Sequence, residues 1–349
     1  MRKSNMELLR IVAMLMVLLL HATFETMHYP SPKLVQAAPD SWLGIILTNQ
    51  ACLCCVDVFV LITGWFGTHF KMQNVWKLLY QVAFISLTIT VGISLWSGGL
   101  PGSPLQIVQS VLGYWFINSY LVMYLLSPVL NSFTEQQGEA EQRHFLLVFF
   151  GLSIPASFLF EDLDRGFSAV SFCGLYLLGR YLRLYGAARL QHLHRRRFLE
   201  TFAINTFTLS LIYWLYFWLK PIYSPCSTSI INITSVMTAY TNPFVILNAV
   251  CLILYFSRLN FSSCLINWLA AGSLAAYLTH QQMFVRPKYF EWIRHLDEQF
   301  CPLLFVLTVA GSILLIFVAS VVLDQCRQQT WKWLVRNKKN IEKLRNVTR

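Results

Sequence analysis

From Glu7 to Met27 the chain reads ELLRIVAMLMVLLLHATFETM, an apolar stretch carrying ionisable groups at Glu7, Arg10, His21 and Glu25. Its length matches the about 20 residues a helix needs to cross the hydrocarbon core of a bilayer. Nine further apolar runs follow, at 43–65, 76–96, 106–130, 144–161, 167–185, 198–219, 243–258, 264–285 and 302–323, the fifth and eighth of the ten being short. Turn-rich connectors such as Gly98–Pro104 and Tyr29–Pro32 separate several of them. Composition points the same way: charged residues make up 12% of the chain, against about 25% in soluble domains. With 56% apolar residues and a mean hydropathy of +0.52, a pair of soluble domains and a disordered chain are both excluded. The net charge of +11 lies between apolar runs rather than on a soluble basic face, so nucleic acid is not the partner. The reading is an all-α polytopic membrane protein of about ten transmembrane helices, one membrane domain over 1–330 with a short basic tail over 331–349.

Arg2 and Lys3 ahead of the first apolar stretch resemble the start of a secretory signal. No small-residue cleavage pattern follows soon after Leu20, and nine more runs come later, so a retained first helix is expected. Orientation follows from the basic residues on alternate sides. One side collects 21 of the 27 Lys and Arg residues, in the N-terminus, 66–77, 131–143, 180–197, Arg258 and the tail from Arg327. The other side holds Lys33, Arg165, Lys220, Arg286, Lys288 and Arg294. Both termini are therefore expected in the cytoplasm and the number of crossings is expected to be even. The nine cysteines sit mostly inside apolar runs with no metal-ligand spacing, and read as small buried apolar residues. Only Cys226 and Cys301 are placed to meet outside the membrane.

Ionisable groups inside a span each cost about 2.5–3.5 kcal/mol even on the lenient scale, and so need a reason. Arg10 and His21 are separated by three helical turns plus about 20°, which puts them on one face roughly 16 Å apart along the axis. Glu7 and Glu25 fall close to the same line, giving an acid–cation pair at the inner end and a His–acid pair further out. Glu7 with Arg10 can equally anchor the helix at the headgroups. In the sixth run Arg180 and Arg183 stand three apart on one face and are suited to holding a phosphate-like anion; Arg189 and Arg195–Arg197 read as ordinary positive-inside residues. Asp57, in the second run, is expected to pair with one of these arginines. His280, late in the ninth run, is expected at about the depth of His21, and either histidine can be a satisfied core residue.

These residues also carry a resemblance. Asn5-Met6-Glu7-Leu8-Leu9-Arg10 through His21 resembles the Arg-x10-His first helix of the integral membrane acyltransferase-3 family. Val56-Asp57-Val58-Phe59-Val60-Leu61-Ile62-Thr63-Gly64-Trp65-Phe66 is similar to that family's next block, as is Tyr114-Trp115-Phe116-Ile117-Asn118-Ser119-Tyr120-Leu121 running to Asn131. Arg180-Tyr181-Leu182-Arg183 and Tyr277-Leu278-Thr279-His280 match two later elements in the family's order. The short basic tail, in place of an appended extracytoplasmic domain, makes the single-domain branch that decorates bacterial sugars the better comparison.

The resemblance implies transfer of an acyl group, usually acetyl from acetyl-CoA, to a hydroxyl of a polysaccharide or lipid-linked sugar in the bacterial inner membrane. No permanently bound cofactor is expected; acyl-CoA is the donor substrate, and the partners are the lipid bilayer and a carbohydrate acceptor. Arg10, Arg180 and Arg183 would bind the phosphates of CoA. His21 would act as general base, with Glu25 orienting its ring, and His280 is the other histidine available for that role. Trp115, Asn118, Tyr120 and His280 would contact the acceptor, although Trp115 equally suits an interfacial anchor. Two rival functions stay open on the sequence: a secondary transporter of a small anion or sugar, against which the absence of a visible internal repeat counts, and a non-catalytic partner of a polysaccharide assembly machine.

Overall fold

Long apolar sequences without water nearby must satisfy their backbone polar groups internally, and helices do so within one segment. The computed structural model describes residues 4–27, 30–159, 165–223 and 233–347. Among these the chain forms sixteen α-helices and no strand. They are α1 (Ser4–Leu20), α2 (Pro32–Ala37), α3 (Pro39–Cys52), α4 (Cys55–Phe66), α5 (Met72–Ser97), α6 (Pro104–Leu112), α7 (Trp115–Gln136) and α8 (Glu139–Leu159). There follow α9 (Ala169–Tyr181), α10 (Ala187–Arg189), α11 (Arg196–Tyr223), α12 (Ile233–Thr238), α13 (Pro243–Ser257), α14 (Cys264–His280), α15 (Arg286–Gln299) and α16 (Pro302–Val347). Single π-helical turns continue α1 over His21–Glu25 and α9 over Leu182–Gly186. The last helix runs on into the basic tail.

Seven stretches of the described residues are long and apolar enough to cross a membrane: Ser4–Thr23, Pro39–Phe66, Met72–Ser97, Trp115–Gln136, Arg196–Lys220, Ile233–Ser257 and Pro302–Arg336. The other three expected runs are helical too, in α8, α9 and α14, but fall short of that mark. Helix α8 spends its first turns on Glu139, Glu141, Gln142 and Arg143, α9 has 13 residues before its π turn, and α14 has 17. The fourth run starts at Trp115 rather than at 106. Residues 106–112 belong instead to α6, which starts at a capping box of Ser103 and Gln106 with Pro104 in its first turn.

The chain divides into two units. The first comprises Met1–Phe70 and Trp115–Asn267. At its centre α4 packs on α1, α9 and α13. Its approach to α9 is closest where two glycines face each other: a Cβ on Gly64 would overlap the Tyr176 carbonyl, and one on Gly179 would meet the Leu61 carbonyl. Small residues at such a crossing let backbones touch, which drives helix association where lipid offers no hydrophobic force. Polar side chains stitch the rest. Asn205 donates to Asn248 (2.7 Å) and Asn248 to Thr206 (3.0 Å), joining α11 to α13. The Asn5 amide donates to the Phe256 carbonyl at 2.9 Å, satisfying the end of α13. Arg258 donates to the carbonyls of Leu190 (2.6 Å) and Leu193 and stacks on Phe198, closing the basic segment after α10.

The second unit comprises Lys71–Tyr114 and Trp268–Arg349. Here α5 packs on α16, and the contact holds an ion pair: Arg327 grips the Asp324 carboxylate with two bonds of 2.9 Å, and Gln81 of α5 donates to the same carboxylate at 2.8 Å. Both charged side chains are buried. Helix α14 approaches α16 through Gly272 against Val321. Large apolar side chains remain exposed in both units, including Leu147 and Leu152 in the first and Leu95, Trp96 and Leu315 in the second, as lipid-facing surfaces do. Of the cysteines, Cys52, Cys54, Cys55 and Cys251 are buried as expected, whereas Cys264, Cys301 and Cys326 are exposed. The expected meeting of Cys301 with Cys226 lies outside the described residues, because Cys226 does.

Candidate functional site

The first unit gathers three arginines around one helix end. Helix α4 stops at Phe66 because Gly67 adopts a left-handed conformation (φ 65°), which glycine enters without steric cost. The Arg10 guanidinium lies over the Phe66 ring at 5.8 Å and that of Arg183 over the Trp65 ring at 5.4 Å. The Arg180 guanidinium occupies the place a Cβ on Gly67 would need. A helix C-terminus carries partial negative charge, so cations are at home there. Arg10 is in addition ion-paired to Glu7 on the same helix. Among the described residues Arg180 and Arg183 have no ion-pair partner, and the buried Nε of Arg180 has no hydrogen-bond partner. A buried guanidinium donor left unpaired costs free energy that an incoming anion would recover.

The backbone after α4 is held by side chains from α7 and α9. Tyr176 donates to the Asn131 side-chain oxygen at 2.6 Å, Asn131 donates to the Thr68 carbonyl at 2.9 Å, and Tyr124 donates to the His69 carbonyl at 3.2 Å. Sequence reasoning missed Trp65, Phe66, Gly67, Tyr176 and Asn131 as a supporting set. A signal existed for Tyr176, which stands four residues before Arg180 and so shares its helix face.

Tyr120 belongs with this group. Its phenol hydrogen-bonds Thr63, one turn before Phe66, and lies close enough to Arg10 to feel its charge. It stacks between Phe116 (6.0 Å) and Tyr124 (6.4 Å), so one face of α7 presents a ladder of three aromatic rings. Trp115 sits instead in an aromatic cluster with Phe167 (4.7 Å), Tyr240 (5.9 Å) and Phe172 (6.2 Å). Asn118, one turn on from Trp115, is exposed.

Asp57 corrects an expectation. It is fully buried near the start of α4, about nine residues before the arginine group, and neither carboxylate oxygen has a hydrogen-bond partner among the described residues. It pairs with no arginine, because the guanidiniums collect at the opposite end of the same 12-residue helix.

At the other end of α1, His21 opens the π turn. Its Nε2 lies 3.8 Å from the Glu25 carboxylate, and its backbone carbonyl accepts from the Thr26 hydroxyl at 2.8 Å. His21 is buried while Glu25 is exposed. The sequence spacing anticipated an α-helical i, i+4 pair; the wider turn keeps the two side chains facing each other, and such bulges recur at functional sites.

His280 belongs to the second unit and is packed differently. It is 1% exposed, edge-on to Tyr277 and Tyr289, with Nδ1 2.5 Å from the Ala276 carbonyl. A carbonyl only accepts, so Nδ1 carries a proton there.

The acyltransferase-3 family model, described as an acyltransferase domain, matches residues 3–324 of this arrangement, nearly the whole chain. The chain belongs to the acyltransferase-3 family. No curated protein and no solved structure gives a match. As a member of this family the chain is a membrane acyltransferase, and the segments read as resembling the family's blocks, from Asn5 to His280, all lie inside the matched region. The two ends of α1 thus differ in chemistry: Arg10, Arg180 and Arg183 gather at one, and an imidazole stands beside a carboxylate at the other.

Proposed function

We propose that this acyltransferase moves an acetyl group from acetyl-CoA to a hydroxyl of a cell-surface polysaccharide or lipid-linked sugar in the bacterial inner membrane. The observation that carries the reading is the unpaired Arg180 guanidinium beside Arg183 and Arg10. CoA presents phosphates, and planar guanidiniums bind phosphate oxygens through paired, charge-assisted hydrogen bonds. Phe66, exposed under Arg10, adds apolar surface for the less polar parts of the donor.

A sugar hydroxyl is a weak nucleophile at neutral pH and needs a base within about 3 Å of its proton. His21 supplies it. Its imidazole takes the hydroxyl proton as the oxygen attacks the thioester carbonyl; the C–S bond then breaks, and the CoA sulfur leaves with a proton returned by the imidazolium. Glu25 stabilises the imidazolium formed on the way. His280, with Nδ1 committed to its own helix and the ring enclosed by tyrosines, serves packing. Trp115 and Asn118 are read as acceptor contacts, since sugars stack on aromatic rings and hydrogen-bond to amides; Tyr120, bonded to Thr63 beside Arg10, stands with the donor-binding end instead. The orientation that fits places both termini in the cytoplasm with an even number of crossings, ten when α8, α9 with its continuation, and α14 are counted with the seven long helices.

Mass spectrometry of surface glycans from cells with and without the gene tests the reading. A mass difference of whole acetyl groups, present only with the gene, is expected; identical glycans in the two cell lines would refute it.

A further inference from the structure

The second unit carries an open cavity of about 710 Å³ that the transfer chemistry above does not use. A volume of this order is typical of sites for small organic ligands. Its walls come from three places in the sequence: Gln109 on α6, Gln281 just after α14, and Arg286, Phe290, Glu291 and Arg294 on α15. Glu291 is ion-paired to Lys288 at 3.0 Å, and Arg286 and Arg294 bring two guanidiniums to the wall. Arg286 lies over the Phe290 ring at 5.3 Å, which presents one cation and one apolar ring together.

The frame around the cavity is fixed. Tyr114, in its wall, donates to the Leu278 carbonyl at 2.8 Å and bonds to Ser86 at 3.1 Å. Tyr289, the residue before Phe290, packs its ring on the buried His280 at 5.8 Å, which holds the start of α15 against the end of α14.

Two arginines call for an anion, and guanidinium binds carboxylate or phosphate bidentately. Two primary amides, each both donor and acceptor, call for hydroxyl groups. An aromatic ring calls for an apolar C–H face. One ligand class has all three features in a small volume. Resting on the acyltransferase reading, we infer that this cavity binds an acidic sugar of the acceptor glycan, a residue bearing a carboxylate. The sugar held here need not be the one that is acylated, because a polymer spans several subsites. A lipid phosphate headgroup shares the anion but lacks the ring of hydroxyls that the amides serve.

The test uses the full-length protein in detergent, with D-glucuronate, D-glucose and glycerol phosphate as probes and ligand-observed NMR as the readout. Glucuronate is expected to bind at least about tenfold more tightly than glucose, the gain from one charge-assisted hydrogen bond. R286Q with R294Q is expected to remove that preference and leave the melting transition unchanged; R294Q alone is expected to reduce it. Equal binding of glucose and glucuronate would overturn the inference, as would a preference that survives the double variant. Binding of glycerol phosphate without glucuronate would assign the cavity to lipid and overturn it too. Glucuronate binding needs no acyl donor, so the two readings fail separately. A wild-type protein that acylates glycan but ignores glucuronate sinks only this inference, and one that binds glucuronate but acylates no sugar sinks the proposed function.

Discussion

Replacing Gly179 by alanine adds one methyl group at the crossing of α4 and α9, next to Arg180. That Cβ would stand 2.5 Å from the Leu61 carbonyl oxygen, 3.0 Å from the Trp65 nitrogen and 3.2 Å from the Gly64 Cα, where ordinary contact begins at 3.4 Å. All three neighbours are backbone, which has no rotamer to turn away, so the helices must part by roughly 0.9 Å to restore ordinary contact. Overpacking of this kind costs about 1–3 kcal/mol, offset by up to about 1 kcal/mol because alanine favours a helix more than glycine does. Stability should therefore fall by about 0–3 kcal/mol. Function should suffer more. The shift separates Trp65 and Phe66 on one helix from Arg180 and Arg183 on the other, and a displacement near 1 Å in a positioned site costs about 10²-fold. Acetyl-CoA binding and acyl transfer by the purified full-length protein are the assays, with melting recorded alongside. Gly151→Ala on α8 is the control, since its Cβ would meet nothing within 4 Å. A folded Gly179→Ala protein that binds donor as the wild type does would refute the claim that the α4–α9 crossing sets the arginine geometry.

Alanine at Arg10, or at Arg180 together with Arg183, is expected to weaken acyl-CoA binding in equilibrium binding assays, and lysine to rescue it in part because the bidentate fork is lost; normal donor binding in all these variants would refute the phosphate role. Arg327→Met strands the Asp324 carboxylate in the core of the second unit and is expected to lower stability by about 3–5 kcal/mol in denaturant unfolding, whereas the double replacement of Asp324 and Arg327 by apolar residues recovers most of the loss. A reporter fused after Arg349 is expected to be cytoplasmic and one inserted near Ser103 external, from the 21 of 27 basic residues on one side; a cytoplasmic signal near Ser103 would break the orientation.

Much of the helical architecture is legible in the apolar runs, because hydropathy reports which segments can face lipid. It is less informative for helices enclosed by others. The sequence of α14 is rich in Ala, Gly and Ser, which let backbones approach but contribute little hydropathy. The break at Gly113 was hidden because α6 and α7 read as one apolar run. In the site, the shared face of Arg10 and His21 follows from helical periodicity alone. Which side chains from other helices meet them does not: Asp57 and the arginines share a neighbourhood in the sequence pattern but stand at opposite ends of α4. The Asp324–Arg327 pair was concealed in the same way, with Arg327 counted among the basic residues of the tail. Tertiary packing decides such pairings, and a single chain's text carries no direct record of it.

Acyl transfer by His21→Gln measures the central claim most directly. Purified wild-type and variant proteins are given acetyl-CoA and a deacetylated surface glycan, with donor binding measured on the same samples. Loss of a general base costs about 10²–10⁴-fold in rate, so His21→Gln is predicted to bind donor normally and transfer at no more than about a hundredth of the wild-type rate, while His280→Gln keeps most of its activity. Near-normal turnover by His21→Gln, with His280→Gln inactive though folded, would contradict the account and move the base to α14.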